Sequence, residues 1–211
     1  MIFSDIQPTG AGLIAVKRKI LIAEKGHRLL KLKRDVLILE LIRTAKDAHL
    51  LRGVLEERVL HARGTIATAQ MMEGTLGLTI VAISVEETPE IQAGTRNVMG
   101  MHLPLFTATG VKKDLATRGY GLIGTSSVVD EAAEAYEDLT DLIIRHAEQV
   151  AAIQILTTEI IRLKRRVNAL EFRVIPELYR IRDDITLRKD ELEREGLSRI
   201  FWVKNRKGSL R

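Results

Sequence analysis

The chain has 211 residues, a formal net charge of +5, 45 % apolar and 4 % aromatic residues, and no cysteine. The absence of cysteine excludes disulfides and thiolate chemistry and fits a reducing compartment. So few aromatics cannot fill a conventional globular core, whereas coiled coils packed with Leu, Ile, Val and Ala have this composition. No uninterrupted apolar run reaches the roughly 18 residues of a membrane-spanning helix. The start MIFSDIQPTG lacks the basic residues and long apolar stretch of a secretory signal. A cytoplasmic chain without direct membrane insertion is the expectation.

In chain order, the first third shows an apolar helical stripe through Leu13, Val16, Ile20, Leu30, Leu37, Leu41, Ala48, Leu51, Leu55, Val59, Ala62, Ile66 and Ala69. His27 and Arg34 interrupt it. The run Val36 to Leu39 is apolar all round, which predicts a third contact surface there. Lys17, Arg18, Lys19, Lys25, Arg28, Lys31, Lys33 and Arg34 face one acid, Glu24, in the same stretch. Two readings of this run stand side by side: a solvated helix surface, and a face that meets an acidic protein surface or a polyanion.

From Glu73 the pattern changes. Gly74 and Gly77 precede Leu78 to Val85, a β-branched run that predicts a strand. A second extended run covers Asn97 to Phe106, with Gly100 and Pro104 as breakers. Pro104 belongs on an edge because it has no N–H for a ladder. A small β-hairpin is expected, followed by a helix over Lys112, Lys113, Asp114 and Leu115 that Gly119, Gly121 and Gly124 break. Ser126 or Ser127 then caps a long helix, with Asp130 and Glu131 in its first turn, where the helix dipole favours acids.

That last helix carries the clearest signal. Leu139, Leu142, Val150, Ile153, Leu156, Ile160, Leu163, Val167, Leu170 and Val174 continue at steps averaging near 3.5 residues, the period of a coiled-coil seam. His146 falls on the same stripe as a packing defect rather than a ligand. Helical from Val128 to Leu192, it would span roughly 95 Å. The fold class expected is mainly α: a long antiparallel two-helix coiled coil with a small central β-hairpin segment. Residues 1–72 would form the first coiled-coil helix, 73–125 the hairpin and short-helix insert, and 126–211 the second helix with a basic tail (Arg199, Lys204, Arg206, Lys207, Arg211). Pro176 predicts a kink, since it removes one helical hydrogen bond and crowds the preceding turn. Asn168, beside the stripe, reads either as a polar register pin or as a solvated side chain.

No active site emerges. GLIGTSS lacks the Lys and spacing of a phosphate-binding loop. His27, His49, His61, His102 and His146 show no ligand spacing, and Ser126 and Ser127 have no activating His. No catalytic residue, cofactor or metal is expected. A basic coiled-coil scaffold or a nucleic-acid-binding coil remains the alternative on charge alone, although no base-reading motif is visible.

Four stretches, AEKGHRLLKLKRD (Ala23 to Asp35), RNVMGMHLP (Arg96 to Pro104), RGYGLIGTSSVVDEAAEAYEDL (Arg118 to Leu139) and RRVNALEFRVIP (Arg165 to Pro176), resemble the D subunit of the archaeal-type and vacuolar-type rotary ATPases, in the same order and over most of the chain. The resemblance implies a non-catalytic central rotor shaft whose two termini enter the head of catalytic A and B subunits. The F subunit would bind its side, and the membrane-ring adaptor, the C (d-type) subunit, its other end. The complex would couple proton or sodium transport to ATP synthesis or hydrolysis, and would be peripheral to the cell membrane on its cytoplasmic side. Lys17, Lys25, Arg28, Lys31, Lys33, Arg34, Arg165 and Arg166 become candidate head contacts, with Ile200, Phe201 and Trp202 as an apolar bearing. Two departures stand out: Gly10, Ala11 and Gly12 where the family commonly has an Arg, and Gly196, which predicts a helix end or kink.

Overall fold

A computed structural model of the chain describes residues 9–85, 89–114, 118–120 and 125–208, with side chains as far as Asn205. The elements are α1 (Gly10–Ser84), β1 (Glu90–Val98), β2 (Met101–Thr109), α2 (Ser127–Ala169), a π-helical turn (Leu170–Val174) and α3 (Ile175–Gly208). Two compact units share them: residues 1–35 with 161–211, and residues 36–160. The fold is mainly α with one β-hairpin, as expected.

In the first unit α1 starts at Thr9, whose hydroxyl accepts the Gly12 N–H at 3.2 Å, a side-chain N-cap. Val16 and Ile20 are buried against Leu178 and Ile185, with Leu13, Ala23, Val174 and Ile181 around them. Farther along α1, Glu24 accepts the Tyr179 hydroxyl and His27 faces Glu171. The partner numbers fall as α1 advances, so the pairing is antiparallel.

The seam changes frame in this unit. Leu163 and Leu178 are buried and so is Ile185, while Leu170 is half-buried between them. Seven residues separate Leu163 from Leu170 and Leu178 from Ile185, but eight separate Leu170 from Leu178. The extra residue lies across the π turn, where Ile175 N–H bonds Leu170 O. A π turn accommodates one additional residue in a helix, and Pro176 follows at once, with no N–H to give and a ring that needs room in the preceding turn. Asn168 is exposed, so it is solvated rather than a pin in the packed seam. Gly196 does not end α3, which continues to Gly208.

In the second unit Ala69 packs with Val129 and Ala132, flanked by Leu78, Val81 and Val128. Leu139 and Leu156 are buried, and Leu142, His146, Ile153 and Ile160 are half-buried. Val150 is not in the seam, being 38 % exposed. Gln149 takes its place, half-buried with its Oε1 shielded. The alternation of three and four from His146 reaches 149 and then 153, so a step of four to Val150 overshoots the stripe. Ile144 and Ala152, outside the expected stripe, are buried as well.

The strand expected over Leu78 to Val85 is helical through Ser84. Leu78 and Val81, one helical turn apart, reach the Ala69 cluster, and that packing outweighs the β preference of Thr79, Ile80, Val81 and Ile83. The change of pattern at Gly74 is a break inside α1 instead, with φ 74° and ψ 166°, a region essentially confined to glycine. The hairpin forms between β1 and β2, antiparallel with Val98 opposite Met101 and Glu90 opposite Thr109. Met99 and Gly100 both have positive φ, the type I′ geometry that suits a two-residue hairpin, and Asn97 Oδ1 accepts the Gly100 N–H at 2.9 Å. Lys112 to Asp114 are not helical. Leu115, Gly121, Gly124 and Arg211 lie outside the described residues, as do the side chains of Arg206 and Lys207.

Two substitutions check this packing. Leu156→Ala should cost about 2–5 kcal/mol by cavity formation, whereas Val150→Ala should stay within about 0.5 kcal/mol; equal losses in chemical denaturation would place both residues in the seam. Gly74→Ala should destabilise by about 1–3 kcal/mol through backbone strain alone, because a Cβ there meets nothing within 4 Å. An unchanged denaturation midpoint would mean the break relaxes freely into helix.

Candidate interaction surfaces

In the first unit the basic residues of α1 divide by position. Lys17, Lys25, Arg28 and Lys31 are exposed, while Lys33 and Arg34 are half-buried. The Arg34 guanidinium already pairs with Asp35, at 2.9 Å from Nε and 2.7 Å from Nη2. Arg165 and Arg166 are exposed on α2. Ile200, Phe201 and Trp202 are each more than 60 % exposed on α3, next to exposed Leu197 and Val203. Lys17, Lys25, Arg28 and Lys31 and the α3 apolar cluster are thus exposed on the same unit. His27 sits in the seam, its Nε2 3.4 Å from Glu171 Oε2 but without hydrogen-bond geometry.

In the second unit the surface is held together by carboxylates that lie off the apolar stripes. Arg118 is 7 % exposed. It donates from Nε and Nη2 to the two Glu137 oxygens at 3.1 and 3.2 Å, and lies 3.6 Å from Asp130 Oδ1. Burial is the largest single effect and works against its charge, but the hydrogen bonds and Coulombic attraction of Glu137 and Tyr120 together outweigh it and raise its pKa. The Tyr120 hydroxyl donates to Asp130 at 2.7 Å; burial first and this bond second raise its pKa. Glu137 also accepts the Lys113 N–H, and Lys112 pairs with Asp138 at 2.7 Å. The segment after β2 is therefore fastened to the first turns of α2. Glu73 on α1 accepts the Ser126 N–H at 3.1 Å, and Ser126 Oγ receives the Val128 N–H, so Ser126 rather than Ser127 caps α2. One sequence signal does point to this cluster: Asp130 and Glu137 stand seven residues apart, on one helix face.

The hairpin is tied to both long helices of that unit. Arg96 reaches Glu40 at 3.5 Å, and Glu148 accepts the Phe106 N–H at 3.0 Å. Met101 and Leu103 are buried beneath it. A cleft of about 240 Å³ lies beside its base, lined by Val85, Pro89, Val111, Ala133, Tyr136 and Thr140. At the end of α1, Met71, Met72, Leu76, Ile80 and Ile83 are all at least 60 % exposed. The sequence hides this patch, because its β-branched run reads as a strand. One 18-residue stretch of α1 has a mean hydropathy of 1.4, enough by length and composition for a bilayer span, with 6 % of it buried. Among the described residues no group of three His, Cys, Asp or Glu could hold a metal.

A family model for the D subunit of ATP synthase matches residues 12–205. The chain belongs to the ATP synthase D-subunit family. It is 47 % identical over 209 residues to the D subunit of the A-type ATP synthase of Methanoregula boonei, covering 99 % of this chain and 100 % of that one. Against the proteins of that name from Methanosarcina mazei and Haloquadratum walsbyi the identities are 44 % and 39 %, each over 202 residues and 96 % of this chain, covering 97 % and 87 % of theirs. In this family member an ion-pair cluster surrounds Arg118, and large apolar side chains stand exposed at the end of α1 and on α3.

The surface pair Lys112–Asp138 makes a pH prediction with a definite sign. Its hydrogen bond lowers the Asp138 pKa below 3.8 and raises the Lys112 pKa above 10.5. The Asp138 contribution is present above its unfolded pKa and lost as pH falls through the lower folded value. The Lys112 contribution is present below its unfolded pKa and lost as pH rises through the higher folded value. Thermal melts of Asp138→Asn should therefore differ slightly from wild type near neutral pH, as suits an exposed pair, and converge as pH falls through the lowered Asp138 pKa. A difference that persists once Asp138 is protonated would assign the effect to something other than charge.

Proposed function

We propose that this chain is the central rotor subunit of an A-type ATP synthase, a non-catalytic shaft that passes torque between the catalytic head and the membrane ring. The observation that carries the reading is the antiparallel pairing of both chain ends in one unit, with Lys17, Lys25, Arg28 and Lys31 exposed beside it, in a chain similar to known D subunits over nearly its whole length. An antiparallel seam of Leu, Val and Ile resists slippage between its helices. Exposed cations worth about 0–1 kcal/mol per pair suit contacts that break and re-form at every step.

In this reading the A and B subunits surround the unit that holds both termini. Lys17, Lys25, Arg28, Lys31, Lys33, Arg165 and Arg166 meet acidic loops there at some rotor angles, and Ile200, Phe201 and Trp202 turn as an apolar bearing. Arg34, committed to Asp35, contributes least of the basic set. Pro176 and its π turn give the shaft a bend that makes it eccentric. The F subunit binds along the side, and the C (d-type) subunit receives the apolar end of α1. That end docks rather than inserts: after Gly74 only Thr75 to Ser84 remain helical, about 15 Å against the roughly 30 Å of a hydrocarbon core. Ion transport by the ring, with the chain on the cytoplasmic side, is thereby coupled to ATP chemistry in the head.

Co-expression with head and F subunits tests this directly. One copy per head, with ATP-driven rotation of a bead fixed to the hairpin, is the expected result; a self-associated coil that ignores the head would overturn it. Within an assembled complex, Lys17, Lys25, Arg28 and Lys31 replaced together by Ala should lower torque or turnover several-fold, and Arg34→Ala should change them far less.

A further inference from the structure

The two edges of the hairpin are not equivalent. The turn at Met99–Gly100 makes Val98 and Met101 a hydrogen-bonded pair, and such pairs alternate along the ladder with pairs whose N–H and C=O groups point outward. On β2 the outward set is His102, Pro104, Phe106 and Ala108. That edge is closed: Pro104 has no N–H, and the Phe106 N–H is taken by Glu148 of α2. On β1 the outward set is Ile91, Ala93, Thr95 and Asn97. Every residue from Glu90 to Asn97 is exposed.

Soluble proteins blunt an open edge with Pro, Lys, a bulge or a covering segment. The sequence EIQAGTRNV contains neither Pro nor Lys, pairs residue for residue without a bulge, and has its one cation, Arg96, turned to Glu40. The four outward-facing residues are uncharged, and Ile91 is 54 % exposed. Four alternating donors and acceptors at strand spacing match one partner chemistry, the backbone of another strand.

We propose that β1 is a docking edge that accepts an extended segment of another subunit of the complex, through strand addition at Ile91, Ala93, Thr95 and Asn97. The incoming segment carries uncharged side chains opposite these four and an apolar one against Ile91. The source of the segment rests on the rotor reading above, in which one copy of this chain serves each head and no second copy is available to fill the edge.

Amide hydrogen exchange, measured on the full chain alone and in the assembled complex, tests this. The Gln92, Gly94 and Arg96 amides face β2 and should be protected in both. The Ile91, Ala93, Thr95 and Asn97 amides should exchange freely in the isolated chain and slow at least tenfold in the complex. Ala93→Pro removes an outward N–H and leaves the internal ladder intact, as Pro104 does on the other strand. It should weaken incorporation by about tenfold, one hydrogen-bonded contact's worth, while Ala93→Ser, which keeps the N–H, should not. Incorporation is scored separately by copies per head. An incorporated chain whose four outward amides still exchange freely overturns strand addition and leaves the rotor reading standing. Concentration-dependent protection of those amides in the isolated chain, with a doubled mass, overturns the assigned occupant in favour of a second copy.

Discussion

Antiparallel pairing of two apolar stripes is the constraint on which each unit depends. A two-helix seam has no third layer to bury its remaining surface, so on the long helices the deepest burial falls on stripe residues: Val16, Leu37, Ala62 and Ala69 on α1, and Leu156, Leu163, Val167 and Leu178 on the returning helices. Many large apolar side chains off that line stay wet, among them Leu29, Leu39, Leu50 and Leu60. A chain of this kind resists changes of register because a slip of one residue would turn the whole stripe outward. It also leaves apolar surface in amounts that soluble monomers rarely expose in contiguous patches, which is the physical reason to look for partners on its faces rather than in a cleft.

Two local irregularities keep the seam aligned where the sequence would let it drift. The π turn absorbs one residue between Leu170 and Leu178, so that the stripe re-enters register with Val16 and Ile20 after the proline. Gly74 does the opposite at the other end of α1: it breaks the helix so that Leu78 and Val81 turn back onto Ala69, Val129 and Ala132. A continuous helix there would carry these side chains away from that cluster. Glu73, immediately before the break, is held by the Ser126 N–H, which fixes the start of α2 relative to the end of α1's straight part.

The long helices and their antiparallel pairing are legible in the sequence because a period of 3.5 sustained over many heptads has few physical explanations. The hairpin is half legible. Asn97 to Phe106 reads as extended, and Pro104 reads correctly as an edge residue, but the pattern puts the other strand at Leu78 to Val85. The mismatch has a specific cause: β-branched residues are ambiguous between a buried helix face and a strand, and the polar, glycine-containing EIQAGTRNV has little strand preference of its own. Its pairing is imposed by the turn at Met99–Gly100 and by anchoring to Glu40 and Glu148. Val150 misleads for a smaller reason, since a valine is a better seam residue than Gln149 by composition and only the three-four alternation argues otherwise. Arg118 opens a recognisable motif yet shows no role in the sequence, because a bidentate pair nineteen residues apart leaves no periodic trace.

The distribution of charge separates two kinds of ionic contact. Surface pairs one turn apart, Arg52–Glu56, Arg145–Asp141, Arg188–Asp184 and Lys189–Glu193, are solvated on at least one side and support their helices only weakly. Arg118 is different because it is buried: a guanidinium removed from water is stable only while its partners remain in place. Glu137 satisfies two of its donors while also holding the Lys113 N–H, and Asp130 lies against a third. Loss of Glu137 would therefore strip a buried guanidinium of two hydrogen-bond acceptors and leave Asp130 as its remaining anionic neighbour. The hairpin rises from the strand that this segment follows. A rigid base under it is what allows one edge of β1 to be presented in a fixed direction, with the opposite edge already closed against α2.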